Sequence, residues 1–105
     1  MDSLDKNRLL LEMDKSISDL NREIINPAIP ELQLKELQPV ITLVAMARKE
    51  YLKALFDIAA ECPSALPTPQ QVARLAELRS SYEELLAGAR AMETAIERGY
   101  LDIQR

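Results

Sequence analysis

The sequence contains no histidine and no tryptophan, a single cysteine, one phenylalanine and only two glycines, both late in the chain. Each scarcity excludes something. Without histidine the chain lacks the usual general base near neutral pH and the commonest metal ligand. One cysteine, Cys62, cannot form an internal disulfide or a structural zinc site, and a lone thiol suits a reducing compartment. The shortage of glycine disfavours sheets with tight turns and any phosphate-cradling loop, because both need residues that tolerate positive φ. Long apolar runs are also missing. The longest, Val40 to Ala47, is interrupted by Thr42 and falls far short of the roughly 18 residues of a membrane span. The opening MDSLDKNRLL is charged throughout and does not read as a signal peptide. The expected setting is the cytoplasm.

What is present is the composition of a folded helical domain. Of 105 residues, 48% are hydrophobic and 29% charged, enough apolar material for one core and too short a chain for two domains. The net charge of −4 and the scattering of the basic residues argue against a phosphate-backbone partner.

Apolar periodicity gives the architecture. Leu10, Met13, Ile17, Leu20 and Ile24 recur at alternating steps of three and four, one stripe on a helix over about residues 4–25. Asp2 or Ser3 is suited to cap its start, and Asn26-Pro27 marks its end. Residues 30–37 read as a short extra helical segment, with a kinked helix continuous from residue 31 as the alternative. Pro39 reads as the first residue of a second helix over about 39–61, with a bend near Gln38. That helix is the most apolar. Leu37, Ile41, Val44, Arg48, Tyr51, Leu55 and Ile58 form its expected seam, and Lys53 and Asp57 are spaced to pair on its polar side. In the loop that follows, Thr68-Pro69-Gln-Gln71 is a capping box opening a third helix over about 69–98. Leu75, Leu78, Tyr82, Leu85, Ala89, Met92 and Ile96 run along it, and Gly99 is placed for a left-handed cap before a tail at 99–105. The expected fold is all-α: an antiparallel three-helix bundle with coiled-coil-like seams.

No residue pattern suggests a catalytic, cofactor or metal site. Glu83, Glu84, Glu93 and Glu97 lie largely off the apolar seam and read as a solvated acidic face. Cys62 sits beside Glu61 at a helix C-terminus, surroundings that oppose thiolate formation. Arg48 interrupts an apolar stripe, either to pair with a buried acid and fix register or to lay its stem on the core with its head in water. The candidate interface residues are Arg48, Tyr51, Phe56, Tyr82, Leu85, Ala89, Met92, Ile96, Tyr100 and Leu101.

The expectation is therefore a protein partner and no small-molecule substrate, nucleic acid or membrane. In length, acidity and helical layout the whole chain resembles the small bacterial flagellar and type III export chaperones, without a diagnostic motif. The leading expectation from the residues is an adaptor, assembly factor or chaperone that receives a client helix in an apolar groove, and the resemblance is one of layout only. A homodimeric regulator or inhibitor of one enzyme is the alternative, and a nucleic-acid-binding bundle is the next. A third helix about two turns longer than its neighbours would leave part of its seam overhanging. A homodimer through Tyr82–Ile96, or through the outer side of the second helix, is expected for that reason.

Overall fold

The structure is a computed structural model that describes residues 2–29 and 31–104. Three long helices, α1 (Ser3–Ala28), α2 (Leu34–Glu61) and α3 (Pro69–Glu97), account for most of the chain. Two-residue strands, β1 (Leu32–Gln33) and β2 (Ile103–Gln104), complete it. The all-α class holds. The chain divides into two compact units, one of residues 1–34 and 92–105, the other of residues 35–91.

In the first unit, α1 begins where the Asp2 carboxylate accepts the backbone N–H of Asp5 at 2.9 Å. It does not stop before Pro27. The helix continues to Ala28, and Ile29 N–H still donates to the Ile25 carbonyl at 3.1 Å. Proline so close to the end removes only one late ladder bond, a small loss that the general rule does not weigh. At the other end of the unit, α3 closes in a full Schellman motif. Gly99 takes φ +72°, its N–H donates to Ile96, and the Tyr100 N–H reaches back to Ala95 at 2.8 Å.

That turn sends the tail along α1 in the same direction as the helix. Arg98 lies near Asp14, then Gly99 and Asp102 meet Arg22, then Asp102 meets Asn26. Tyr100 and Leu101 are buried, Leu101 at 5% exposure. Beyond them β2 pairs in parallel with β1, Leu32 opposite Ile103 and Gln33 opposite Gln104, with Leu32 N–H donating to the Asp102 carbonyl. Of the short helical segment expected at 30–37, residues 32–33 are instead an extended pair and residues 34–37 form the first turn of α2. Pro30 lies outside the described residues. Leu32 and Leu34, like Leu101 and Ile103, alternate with polar residues, which is the period of a strand.

In the second unit, α2 is continuous from Leu34 and carries Pro39 as its sixth residue, not its first. The missing N–H leaves one carbonyl, that of Lys35, without its ladder partner, and the following 22 residues outweigh that defect. With α2 starting five residues early, the three helices have 26, 28 and 29 residues. The expected two-turn excess of the third helix is absent.

Arg48 and Tyr51 in the middle of α2 meet Tyr82 in the middle of α3, while Glu61 at the end of α2 meets Gln71 at the start of α3. The two helices therefore pack antiparallel as a hairpin. Leu37 and Val44 are buried and Val40, Ala47, Tyr51, Ala54 and Ile58 half-buried, a strict three-four seam. It is rotated by one position from the expected one. Leu37, Val44, Tyr51 and Ile58 are common to both, but Val40, Ala47 and Ala54 replace Ile41, Arg48 and Leu55. Ala47 and Ala54 place small side chains at two inward positions, and the rotation spares Arg48 the cost of burying a guanidinium. On α3 the inward stripe likewise passes from Tyr82 to Leu86, leaving Leu85 at its exposed margin.

Candidate interaction surfaces

The loop between α2 and α3 is held by Gln71. Its Oε1 accepts the Thr68 N–H at 2.8 Å while its own N–H donates to Thr68 Oγ1 at 3.2 Å, the reciprocal pair of a capping box. The same oxygen accepts the Cys62 thiol, and Nε2 donates to Glu61 at 3.0 Å. Cys62 is thereby engaged as a hydrogen-bond donor in a turn.

Arg48 lies on the exposed rim of the hairpin. Its Nε donates to the Tyr82 hydroxyl at 3.1 Å, its guanidinium carbon sits 5.2 Å from the Tyr82 ring centre, and Tyr51 packs on Tyr82 with ring centres 6.2 Å apart. Among the described residues no carboxylate pairs with it. Its head rests on Tyr82 at the exposed rim.

The rotated seam turns a different set of α2 side chains outward. Ile41, Ala45, Arg48, Leu52 and Phe56 recur at four, three, four and four, a single stripe whose members are all exposed, Phe56 at 71%. This stripe is apolar with one cation in it.

A search of protein families, characterised proteins and solved structures returns no match. The physical surfaces are what bear on function.

The remaining candidate residues divide by burial. Tyr51, Tyr82, Ala89, Met92 and Ile96 are half-buried, and Tyr100 and Leu101 are covered by the chain itself. Phe56 and Arg48 are exposed, Arg48 while held on Tyr82, with Leu85 at the margin. Sequence reasoning missed a larger surface. The α1 stripe of Leu10, Met13, Ile17, Leu20 and Ile24 is 48–67% exposed, and Leu9, Met13, Ile17 and Leu20 line an open groove with Glu12 and Ser16. Periodicity identified this stripe but assigned it to a core.

The side of α1 that does pack is the polar one. Arg22 forms a two-pronged pair with Asp102, each N–O distance 3.2 Å, and donates to the Gly99 carbonyl at 2.6 Å; Asn26 adds a third donor to Asp102. The hydrogen bonds from Arg22 and Asn26 hold the Asp102 carboxyl below its ordinary pKa, and the same pairing raises that of Arg22. Asn21, then Arg98 and Ser18, lower that of the Tyr100 hydroxyl.

Among the described residues no group of three or more His, Cys, Asp or Glu is placed to hold a metal ion, and no helix is long and apolar enough to cross a membrane. Among the described residues most ion pairs are local along one helix, as between Glu83 and Arg79 and between Asp57 and Lys53.

Proposed function

We propose that this chain is a non-enzymatic helical interaction module of the cytoplasm, an adaptor, assembly factor or export-type chaperone. It receives a client helix along the outward stripe of α2. The observation that supports this reading is the exposure of Phe56, the only phenylalanine in the chain, at 71% on a stripe with Ile41 and Leu52. A large aromatic left in water forgoes about 1.5–3 kcal/mol that burial would recover. A helix presenting apolar residues at three-four spacing would cover Phe56 and Leu52 and complete the bundle-like packing that the hairpin begins. Arg48 sets the client's polarity. Arg48 is an exposed cation on that stripe with Nε taken by Tyr82, so the favoured client helix carries an acidic side chain next to its apolar face.

The test is photocrosslinking through p-benzoylphenylalanine at position 56 in the native host, followed by calorimetric titration of the purified client. A discrete adduct is expected, with a stoichiometric complex that Phe56→Asp weakens strongly and Arg48→Ala weakens less. A client whose affinity is unchanged by Phe56→Asp would remove the α2 stripe from the reading.

A further inference from the structure

One row of side chains on α1 holds the tail. Asp14, Ser18, Arg22 and Asn26 stand four residues apart, with Asn21 beside them. Asp14 meets Arg98, Ser18 and Asn21 face the Tyr100 hydroxyl, Arg22 takes the Gly99 carbonyl and Asp102, and Asn26 takes Asp102 again. Most of this hold is polar and open to water. The Arg22 and Asp102 side chains are each half exposed, and those of Arg98 and Asp14 more so. Polar groups in such positions exchange their partners for water at little net cost when a contact opens.

The apolar hold is narrow. Among the described residues of this unit only Tyr100 and Leu101 are buried, and α1 itself contributes no buried residue. The pairing of β1 with β2 adds two residues on each side, and a two-stranded pair is marginal by itself. Few buried apolar contacts and many exposed hydrogen bonds are the marks of a segment that opens before the rest of a fold. The α2–α3 hairpin has supports of its own: the Thr68–Gln71 box, the contacts of Arg48 and Tyr51 with Tyr82, and buried Leu37 and Val44.

We propose that residues 98–104 form a detachable clasp, which leaves α1 and β1 as one piece while the α2–α3 hairpin stays folded. Arg22 is the latch. It touches the tail at the Gly99 carbonyl and at both oxygens of Asp102, and its planar fork fits a carboxylate as a lysine cannot. Tyr100 and Leu101, covered in the closed state, are offered to a partner only from the open one. This goes beyond the client reading, which concerns α2, and either can fail alone.

The test is native-state hydrogen exchange of the full chain, followed by NMR along a urea series at one protein concentration. Amides of residues 18–28 and 32–33 exchange through an opening with a shallower urea dependence than amides in the middle of α2 and α3. Leu101→Ala raises that opening about thirtyfold or more, as the loss of a buried leucine implies. Arg22→Lys, which keeps the charge and loses the fork, raises it about threefold or more. Thr68→Ala acts the other way round. It speeds exchange of the hairpin amides about fivefold through the lost cap, and leaves the α1 and β1 amides unchanged because the hairpin is intact when the clasp is open. One opening shared by α1 and the hairpin, faster α1 exchange in Thr68→Ala, or an α1 indifferent to Leu101→Ala would each overturn the inference.

Discussion

Replacing Thr68 by alanine tests how the hairpin is nucleated, and the structure gives the size of the effect. Thr68 is exposed, so no core volume is lost and the change reduces to one bond, Oγ1 accepting the Gln71 N–H at 3.2 Å. Losing such an N-cap costs about 1 kcal/mol. Thr68→Ser keeps the oxygen and should cost a few tenths at most, roughly within the scatter of surface substitutions. Gln71→Ala removes a different set: the bond to the Thr68 N–H, worth about 1 kcal/mol, the contact with Glu61, worth roughly 0.5 kcal/mol at an exposed site, and the weak bond from the Cys62 thiol. Alanine's better helix propensity returns a few tenths, leaving about 1–1.5 kcal/mol. Because the two residues cap each other in one hydrogen-bond network, the double variant should depart from the sum of the single losses by about 0.5 kcal/mol or more. The assay is urea denaturation followed by circular dichroism at one fixed protein concentration, since association would otherwise shift the midpoint. A 1 kcal/mol loss corresponds to a melting temperature lower by about 4–8 °C. The reasoning is refuted if Thr68→Ala and Thr68→Ser are equally stable, for then the hydroxyl contributes nothing to the start of α3.

Gly99→Ala should cost about 1–2 kcal/mol, all of it from forcing a Cβ into φ +72°, because no atom lies within 4 Å of the added carbon; denaturation measures it. Asp102 titrates below its ordinary pKa in the folded chain, so its stabilising effect is complete at neutral pH. It should fade as acid carries the pH down through the unfolded and then the folded value; Asp102→Asn should flatten that part of the profile of melting temperature against pH. Phe56→Asp should change stability by no more than about 0.5 kcal/mol, as a side chain already in water, while removing client binding. Chelator should leave the melting temperature where it is, and a sharp fall in calorimetry would reveal a metal that the described residues do not suggest.

The sequence alone determined the three helices, the breaks between them and two of their ends. Three-four periodicity, the Thr68–Gln71 box and the single glycine able to reverse the chain at Gly99 are local signals, decided within a few residues by backbone geometry. The prolines at 27 and 39 misled for a related reason. Local rules charge proline the same wherever it stands, whereas near a helix end it removes one bond and a long helix absorbs the loss.

Only the tertiary structure decided which faces are used. Leu37, Val44, Tyr51 and Ile58 are common to two seams one position apart. The choice of Ala47 over Arg48 depends on how close α3 can come and on the cost of burying a charge, neither of which periodicity contains. The pairing of Leu32 with Ile103 joins residues too far apart in sequence for local propensity to sense. The stripe on α1 was legible as a stripe, but sequence period says only that an apolar face will seek cover. That the tail lies on the opposite side of α1 is fixed by Arg22 and Asn26, contacts between residues some 76–80 positions apart that no local period contains.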